Sequence, residues 1–213
     1  MLPSDFRRNL IRYCEEHSSQ ETELLYQLRR ETYLKTMAPQ MLSGHLQGNL
    51  LRMISAMIQP SYIVEIGTFT GYATLCLAEG LAEDGRLITL EANPELAFIS
   101  SKAFQKSLFA SRIEAWQGDA KALIKEVEEG IDLLFIDAGK KDYELYYDEL
   151  FDKVRSGGFI LADNVLWDGK VVSNPEDTMT QVLMKFNQKI KEDPRVEQVI
   201  LPFRDGVSII RKK

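Results

Sequence analysis

The chain has 213 residues, 45% of them hydrophobic and 27% charged, with a formal net charge of −6. That composition fits one soluble globular domain with a sizeable core, and no apolar run approaches the ~20 residues that span a bilayer. The negative balance argues against a broad nucleic-acid footprint, leaving only a local basic patch open, so the expected partner is a small molecule, with no nucleic acid and no membrane.

The first eight residues, Met1–Arg8, carry no apolar stretch after their basic pair and do not read as a secretory signal. Cys14 and Cys76 lie far apart within apolar periodic segments and read as buried free thiols, which points to a reducing cytoplasm. Residues 1–60 form a helical extension. Phe6, Leu10, Ile11 and Cys14 recur at helical spacing, Ser18-Ser19-Gln20-Glu21 offers a capping box, and Leu24, Leu25 and Leu28 carry the next helix. Pro39 breaks the pattern, and Ser43 can cap a third helix with an apolar face of Leu46, Leu50, Ile54, Met57 and Ile58.

From Ser61 onward strand and helix alternate. The spacing predicts strands at Ile63–Ile66, Leu87–Glu91, Ile113–Gln117, Leu133–Asp137 and Gly158–Asp163, with helices near Tyr72–Ala82, Pro94–Phe109, Asp119–Val127 and Tyr143–Lys153. A helix over Thr178–Lys191 and strands Val196–Leu201 and Val207–Arg211 around Arg204-Asp205-Gly206 follow. Alternation of this kind implies an α/β fold, a doubly wound and mostly parallel seven-stranded sheet, closed at one edge by an antiparallel C-terminal hairpin. Residues 1–213 are read as a single domain, 61–213 being the α/β core.

Open α/β sheets bind ligands at the carboxyl ends of their strands, and that is where this chain places its charge. After the first strand, Gly67 and Gly71 let the backbone turn sharply and approach a ligand, but the dinucleotide pattern G-x-G-x-x-G is not met. A wider Gly-x-x-x-Gly loop suits a nucleoside without a pyrophosphate; packing alone is the plainer reading. Glu91 ends the second strand, placed to accept both ribose hydroxyls. Asp119, after the third strand, is either an N-cap or part of a base pocket, and the two roles are compatible. Asp137 ends the fourth strand and Asp163-Asn164 the fifth, so two carboxylates and a carboxamide converge. Hard oxygen donors without His or Cys suit Mg²⁺ rather than zinc, whereas each aspartate singly reads as a cap. Lys140, desolvated beside a dication, becomes a candidate general base, while Lys141 reads as solvated. His17 and His45 read as structural or exposed, Trp116 as core, and Trp167 as either a pocket wall or loop packing.

The segments Glu65-Ile66-Gly67-Thr68-Phe69-Thr70-Gly71-Tyr72, Glu91, Gly118-Asp119-Ala120, Asp137–Tyr143, Asp163-Asn164 and Asp205-Gly206, in this order, resemble the cation-dependent O-methyltransferases that use S-adenosylmethionine, the group containing caffeoyl-CoA and catechol O-methyltransferases. The resemblance implies that Gly67 and Thr68 contact the amino-acid end of S-adenosylmethionine, that Glu91 holds its ribose and that Ala120 touches its adenine. Glu65, Gly71, Asp119 and Asp137 belong to the same cofactor-binding set, and Ser43 falls where the family often has a cofactor-contacting hydroxyl. It implies Asp137, Asp163 and Asn164 as ligands of Mg²⁺, or of another divalent cation such as Mn²⁺ or Ca²⁺, with Lys140 and Asp137 catalytic. The family often dimerises, so a homodimer is expected. Three positions depart: Ala73 stands where a cofactor-contacting Ser is frequent, Gly139 where a second Asp is frequent, and Gln47 where an acid is frequent.

The expected reaction is direct methyl transfer to one of two adjacent hydroxyls on a small catechol-like or hydroxycinnamoyl-like acceptor, with the metal stabilising the oxyanion and Lys140 taking its proton. The rivals are a nucleotide-dependent oxidoreductase and a non-catalytic ligand-binding domain on the same fold.

Overall fold

The computed structural model describes residues 4–213. Met1–Pro3, on which part of the leader reading falls, lie outside the described residues. In chain order the elements are α1 (Ser4–Glu16), α2 (Glu23–Lys35), α3 (Gly44–Ile58), β1 (Tyr62–Ile66), α4 (Tyr72–Ala78), β2 (Arg86–Glu91), α5 (Ala97–Lys106), β3 (Ile113–Gln117), α6 (Ala120–Leu123), β4 (Ile131–Ile136), α7 (Tyr143–Phe151), β5 (Val154–Asp163), α8 (Lys170–Ser173), α9 (Thr178–Glu192), β6 (Val196–Leu201) and β7 (Val207–Lys212). The strands form one seven-stranded sheet ordered β3-β2-β1-β4-β5-β7-β6. β1 to β5 are parallel, and β7 is antiparallel to both β5 and β6.

Parallel strands joined by helical crossovers are covered on both faces, which is why β1 and β4 read as apolar runs broken only by Glu65 and Asp132. Every residue of both is buried. Side chains alternate between two cores. Tyr62, Val64 and Ile66 pack with Ile124, Tyr143, Tyr147, Leu183 and Phe186 on one face, and Ile63 packs with Leu28, Leu51, Leu75 and Ile99 on the other. The chain runs outward from β1 in one direction and from β4 in the other, so the crevice at the strands' carboxyl ends opens between β1 and β4.

Several local expectations are corrected. The second helix is capped by Thr22, whose hydroxyl accepts from the Leu25 amide, and not by a box at Ser18–Glu21. Ser43 stands before α3 but makes no side-chain cap bond. The buried face of α3 is Gln47, Gly48, Leu51, Ile54 and Ser55, whereas Met57 is exposed; Gly48 packs directly against Tyr72 and Cys76 of α4, which turns that stripe inward. Cys76 is buried as expected, but Cys14 is exposed, because the apolar side of α1 (Phe6, Leu10, Ile11, Tyr13) has no core to enter. Trp116 is only partly buried, on the sparsely covered strand β3. Helices α4 and α6 end earlier than the apolar pattern suggests, and β5 begins earlier, at Val154, before a register shift against β4.

At the end of the sheet away from the crevice, Asp132 fixes three strands. Its Oδ2 accepts the amides of Ser61 (2.8 Å) and Tyr62 (2.9 Å), and its Oδ1 accepts the Arg155 guanidinium. Asp132→Ala leaves two amide donors without their acceptor, which costs about 1–3 kcal/mol. The expected result is a lower urea midpoint at unchanged slope, with ligand binding in the crevice retained because the crevice lies at the other end.

Candidate active site

The glycine loop is shaped by the approach of two backbones. Gly67 has φ +106°, and a Cβ there would lie 2.1 Å from the carbonyl oxygen of Asp137. No residue but glycine fits. The Asp137 amide in turn donates to the Ile66 carbonyl at 2.9 Å, and the amides of Gly67 and Thr68 donate to Leu90, so the ends of β1, β2 and β4 are held together. Gly71, at φ +89°, is excluded from bearing a side chain by Phe104 and has a packing role at the start of α4.

Beneath the loop a polar thread runs through apolar strands. Glu65, fully buried, accepts from Thr74 (2.5 Å) and Thr89 (2.6 Å) through Oε2, and Thr89 meets Thr68 at 2.5 Å. Its Oε1 has no hydrogen-bond partner among the described residues. Burial, with Asp137 and Glu91 nearby, pushes the Glu65 carboxyl up to about 8. Glu91 ties the other side of the loop: its Oε2 accepts the Phe69 amide at 2.7 Å and its Oε1 the Asn93 amide at 2.8 Å. Asp119 caps α6 through the Lys121 amide at 3.0 Å.

The crevice has a volume of about 1310 Å³. That exceeds the ~300–1,000 Å³ typical of one small-ligand pocket and leaves room for two reactants side by side. Of the residues expected from the sequence, Gly67, Glu91, Asp119, Ala120, Asp137, Lys140, Asp163 and Asn164 line it, as does Trp167. Glu65, Thr68, Gly71, Ala73 and Ser43 do not; Ala73 lies in the core with α4, and Ser43 is buried before α3. His17 and His45 bond to backbone carbonyls away from it.

Opposite the loop, the ends of β4 and β5 bring Asp137 beside Asp163. Asp163 is 3% exposed, and burial together with the Asp137 charge raises its carboxyl above the ordinary range. One oxygen of each is engaged: Lys140 Nζ donates to Asp137 Oδ1 at 3.0 Å, and Gln47 Nε2 donates to Asp163 Oδ2 at 2.7 Å. Asp163 Oδ1 is buried with no hydrogen-bond partner among the described residues. Asn164 follows at φ +59°. Among the described residues no trio of His, Cys, Asp and Glu gathers for a metal; the set here is two carboxylates and a carboxamide. An orphaned carboxylate oxygen in a hard, all-oxygen set fits a divalent cation.

Three contributors escape a reading of the residues alone. Tyr143, fully buried, accepts from Lys140 at 2.8 Å and shares its proton between the carbonyls of Asp163 (3.0 Å) and Ile136 (3.2 Å). Thr89 stands opposite Glu65 in the β1–β2 register, and two polar residues facing each other inside apolar strands were the available signal. Arg204 donates to Gln47 Oε1 at 2.7 Å from a loop distant in sequence, for which no local pattern speaks.

The strand order, with antiparallel β7 inserted beside β5, is that of the class I methyltransferases. A sequence profile described as O-methyltransferase matches residues 15–213, and the chain belongs to this family of S-adenosylmethionine-dependent enzymes. It is 32% identical over 179 residues to caffeoyl-CoA O-methyltransferase 2 of Petunia hybrida, covering 78% of this chain and 74% of that protein. An SAH-bound methyltransferase of Podospora anserina superposes with a TM-score of 0.92 at 29% identity, over 100% of this chain and 97% of that one. The O-methyltransferase of Bacillus cereus in complex with SAH does so with 0.87 at 28% identity, over 95% and 96%. The oxidoreductase and non-catalytic readings fall with this membership.

The buried Glu65 generates a pH prediction. An exposed glutamate releases its proton near 4.5, and this one holds it to about 8. The folded state therefore binds more protons than the unfolded state between those values, and stability falls as pH rises through that window. Glu65→Gln removes this slope. The melting temperature of the variant minus that of the wild type, measured by calorimetry without cofactor, is expected to grow from pH 5 to pH 8; a constant difference would show that Glu65 is ionised when buried.

Proposed function

We propose that this enzyme methylates one of two adjacent hydroxyls on a small aromatic acceptor, catechol-like or hydroxycinnamoyl-like, with a divalent cation held by Asp137, Asp163 and Asn164. The observation that carries the reading is the unpartnered Asp163 Oδ1 at the crevice, beside a second carboxylate. The relatives named as caffeoyl-CoA O-methyltransferases support the acceptor class. So do side chains that line the crevice: Met37, Met41, Met179 and Trp167 offer adaptable sulfur and a flat ring to an aromatic acceptor.

The chain's own residues divide the work. Gly67, Glu91 and Ala120, with Asp119, hold S-adenosylmethionine, the Gly67 backbone lying at its amino-acid end and the Glu91 carboxylate at its ribose; Thr68 and Glu65 support the loop from behind the crevice wall. Ala73 leaves the cofactor carboxylate to backbone or water. When bound, the cation supplies orientation and charge stabilisation to the acceptor's oxyanion. Lys140 takes the hydroxyl proton, and its ammonium is held by Asp137 and Tyr143, the contacts seen here. The methyl group leaves sulfur as the carbon–oxygen bond forms, giving a methyl ether and S-adenosylhomocysteine. The exposed apolar stripe of α1 supports pairing of two copies as a homodimer, and two free thiols far apart in the chain support a cytoplasmic enzyme.

Methyl transfer to a panel of vicinal diphenols and hydroxycinnamoyl thioesters, with and without EDTA, tests the reading. Chelation and Asp163→Ala are each expected to abolish turnover, and undiminished activity in EDTA would sink the metal assignment. Lys140→Met is expected to lower kcat about 10²–10⁴-fold, the usual worth of a general base.

A further inference from the structure

The Asp163 carboxylate is not simply near the crevice; it is held by a relay that begins on another loop. Arg204 Nη2 donates to the Leu42 carbonyl at 3.2 Å while its Nη1 donates to Gln47 Oε1 at 2.7 Å. Gln47, 1% exposed on α3, passes this on through Nε2 to Asp163 Oδ2 at 2.7 Å. The direction of the amide is fixed by chemistry. A guanidinium only donates and an ionised carboxylate only accepts, so the carboxamide oxygen must face Arg204 and its NH₂ must face Asp163. A positive charge on the oxygen side makes that NH₂ a stronger donor.

The consequence lies in how many oxygens the acids can offer. Gln47 engages Asp163 Oδ2 and Lys140 engages Asp137 Oδ1, so among the described residues each carboxylate has one oxygen free of protein donors, and bidentate binding would make a cation share the other oxygen with a hydrogen bond. Two single oxygens and one Asn164 carboxamide make three protein ligands. Mg²⁺ and Mn²⁺ accept this readily, because a six-coordinate octahedron keeps the remaining positions for water or substrate. Ca²⁺ takes about 6–8 oxygens, often through bidentate carboxylates, which this arrangement denies it.

We infer that Gln47, backed by Arg204, is a positioning residue that holds Asp163 as a one-oxygen ligand and so makes the site select small octahedral cations over Ca²⁺. The inference rests on the metal reading above and adds to it a determinant of selectivity, at a position where the family often has an acid.

Calorimetric titration of the full chain with Mn²⁺ and with Ca²⁺, supported by the Mn²⁺ electron paramagnetic resonance signal, tests it without turnover. The wild type is expected to bind Mn²⁺ at least about tenfold more tightly than Ca²⁺. Gln47→Leu, which keeps the volume and removes the donor, is expected to weaken Mn²⁺ by about 10–100-fold, the usual effect of losing an outer-shell partner. Ca²⁺ affinity should change far less, so the Mn²⁺/Ca²⁺ ratio collapses. Arg204→Met, on the exposed outer link, should shift the ratio in the same direction by less, and decides the matter if Gln47→Leu melts early. An unchanged ratio in the folded variants, or a wild type that prefers Ca²⁺, overturns the relay while leaving the metal site standing. A wild type that binds neither cation overturns both.

Discussion

The contact on which the site depends is between two main chains. Where β1 ends, Gly67 lies so close to the Asp137 carbonyl that no side chain can intervene, and the Asp137 amide closes the return bond to Ile66. This joins the ends of the two strands from which the sheet winds in opposite directions. The donor loop and the first acid are therefore one rigid unit. Everything else in the crevice is positioned from it: Glu91 by its bond to Phe69, Lys140 by its bond to Asp137, and Asp163 through the shared hydroxyl of Tyr143.

The charge distribution follows the same logic. Glu65, Glu91, Asp137 and Asp163 gather at one end of the sheet, close enough that Asp137 and Glu91 raise Glu65 and Asp137 raises Asp163. Such a gathering is unfavourable until cations enter. The sulfonium of the methyl donor is one, and the divalent ion proposed above would be a second. The methylated product leaves behind a neutral thioether, so the attraction that draws the donor in is absent when S-adenosylhomocysteine departs. Electrostatics thus favours reactants over products within the same geometry.

Much of this was legible in the residues themselves. The inner parallel strands announced themselves because burial on both faces demands largely apolar runs, and those of β2, β4 and β5 lead into Glu91, Asp137 and Asp163 at the crevice. The neighbour relation of β4 and β5, which brings Asp137 and Asp163 together, followed from winding alone. What was hidden has physical causes. The inward stripe of α3 is turned by the Gly48 contact with Tyr72 and Cys76, a close approach between helices that no single-helix periodicity contains. Cys14 and its neighbours have a helical pattern but no surface within the chain to cover them. The Arg204–Gln47–Asp163 chain joins three segments far apart in sequence, and only the fold makes them neighbours.

One buried pair ties the helical extension to the chemistry. Thr32 on α2 donates to Thr70 in the glycine loop at 2.9 Å, both hydroxyls being fully buried, and Leu25 and Leu28 pack on the same side. The other side of this region, including Ile11, Met37 and Met41, faces the crevice. The extension thus has an inheritance divided by face: one side is constrained by the universal methyl donor, while the other is free to drift with each new acceptor. Diversification of acceptor range within such a lineage can proceed by exchanging exposed side chains, without disturbing the hydroxyl pair that holds the donor loop in place.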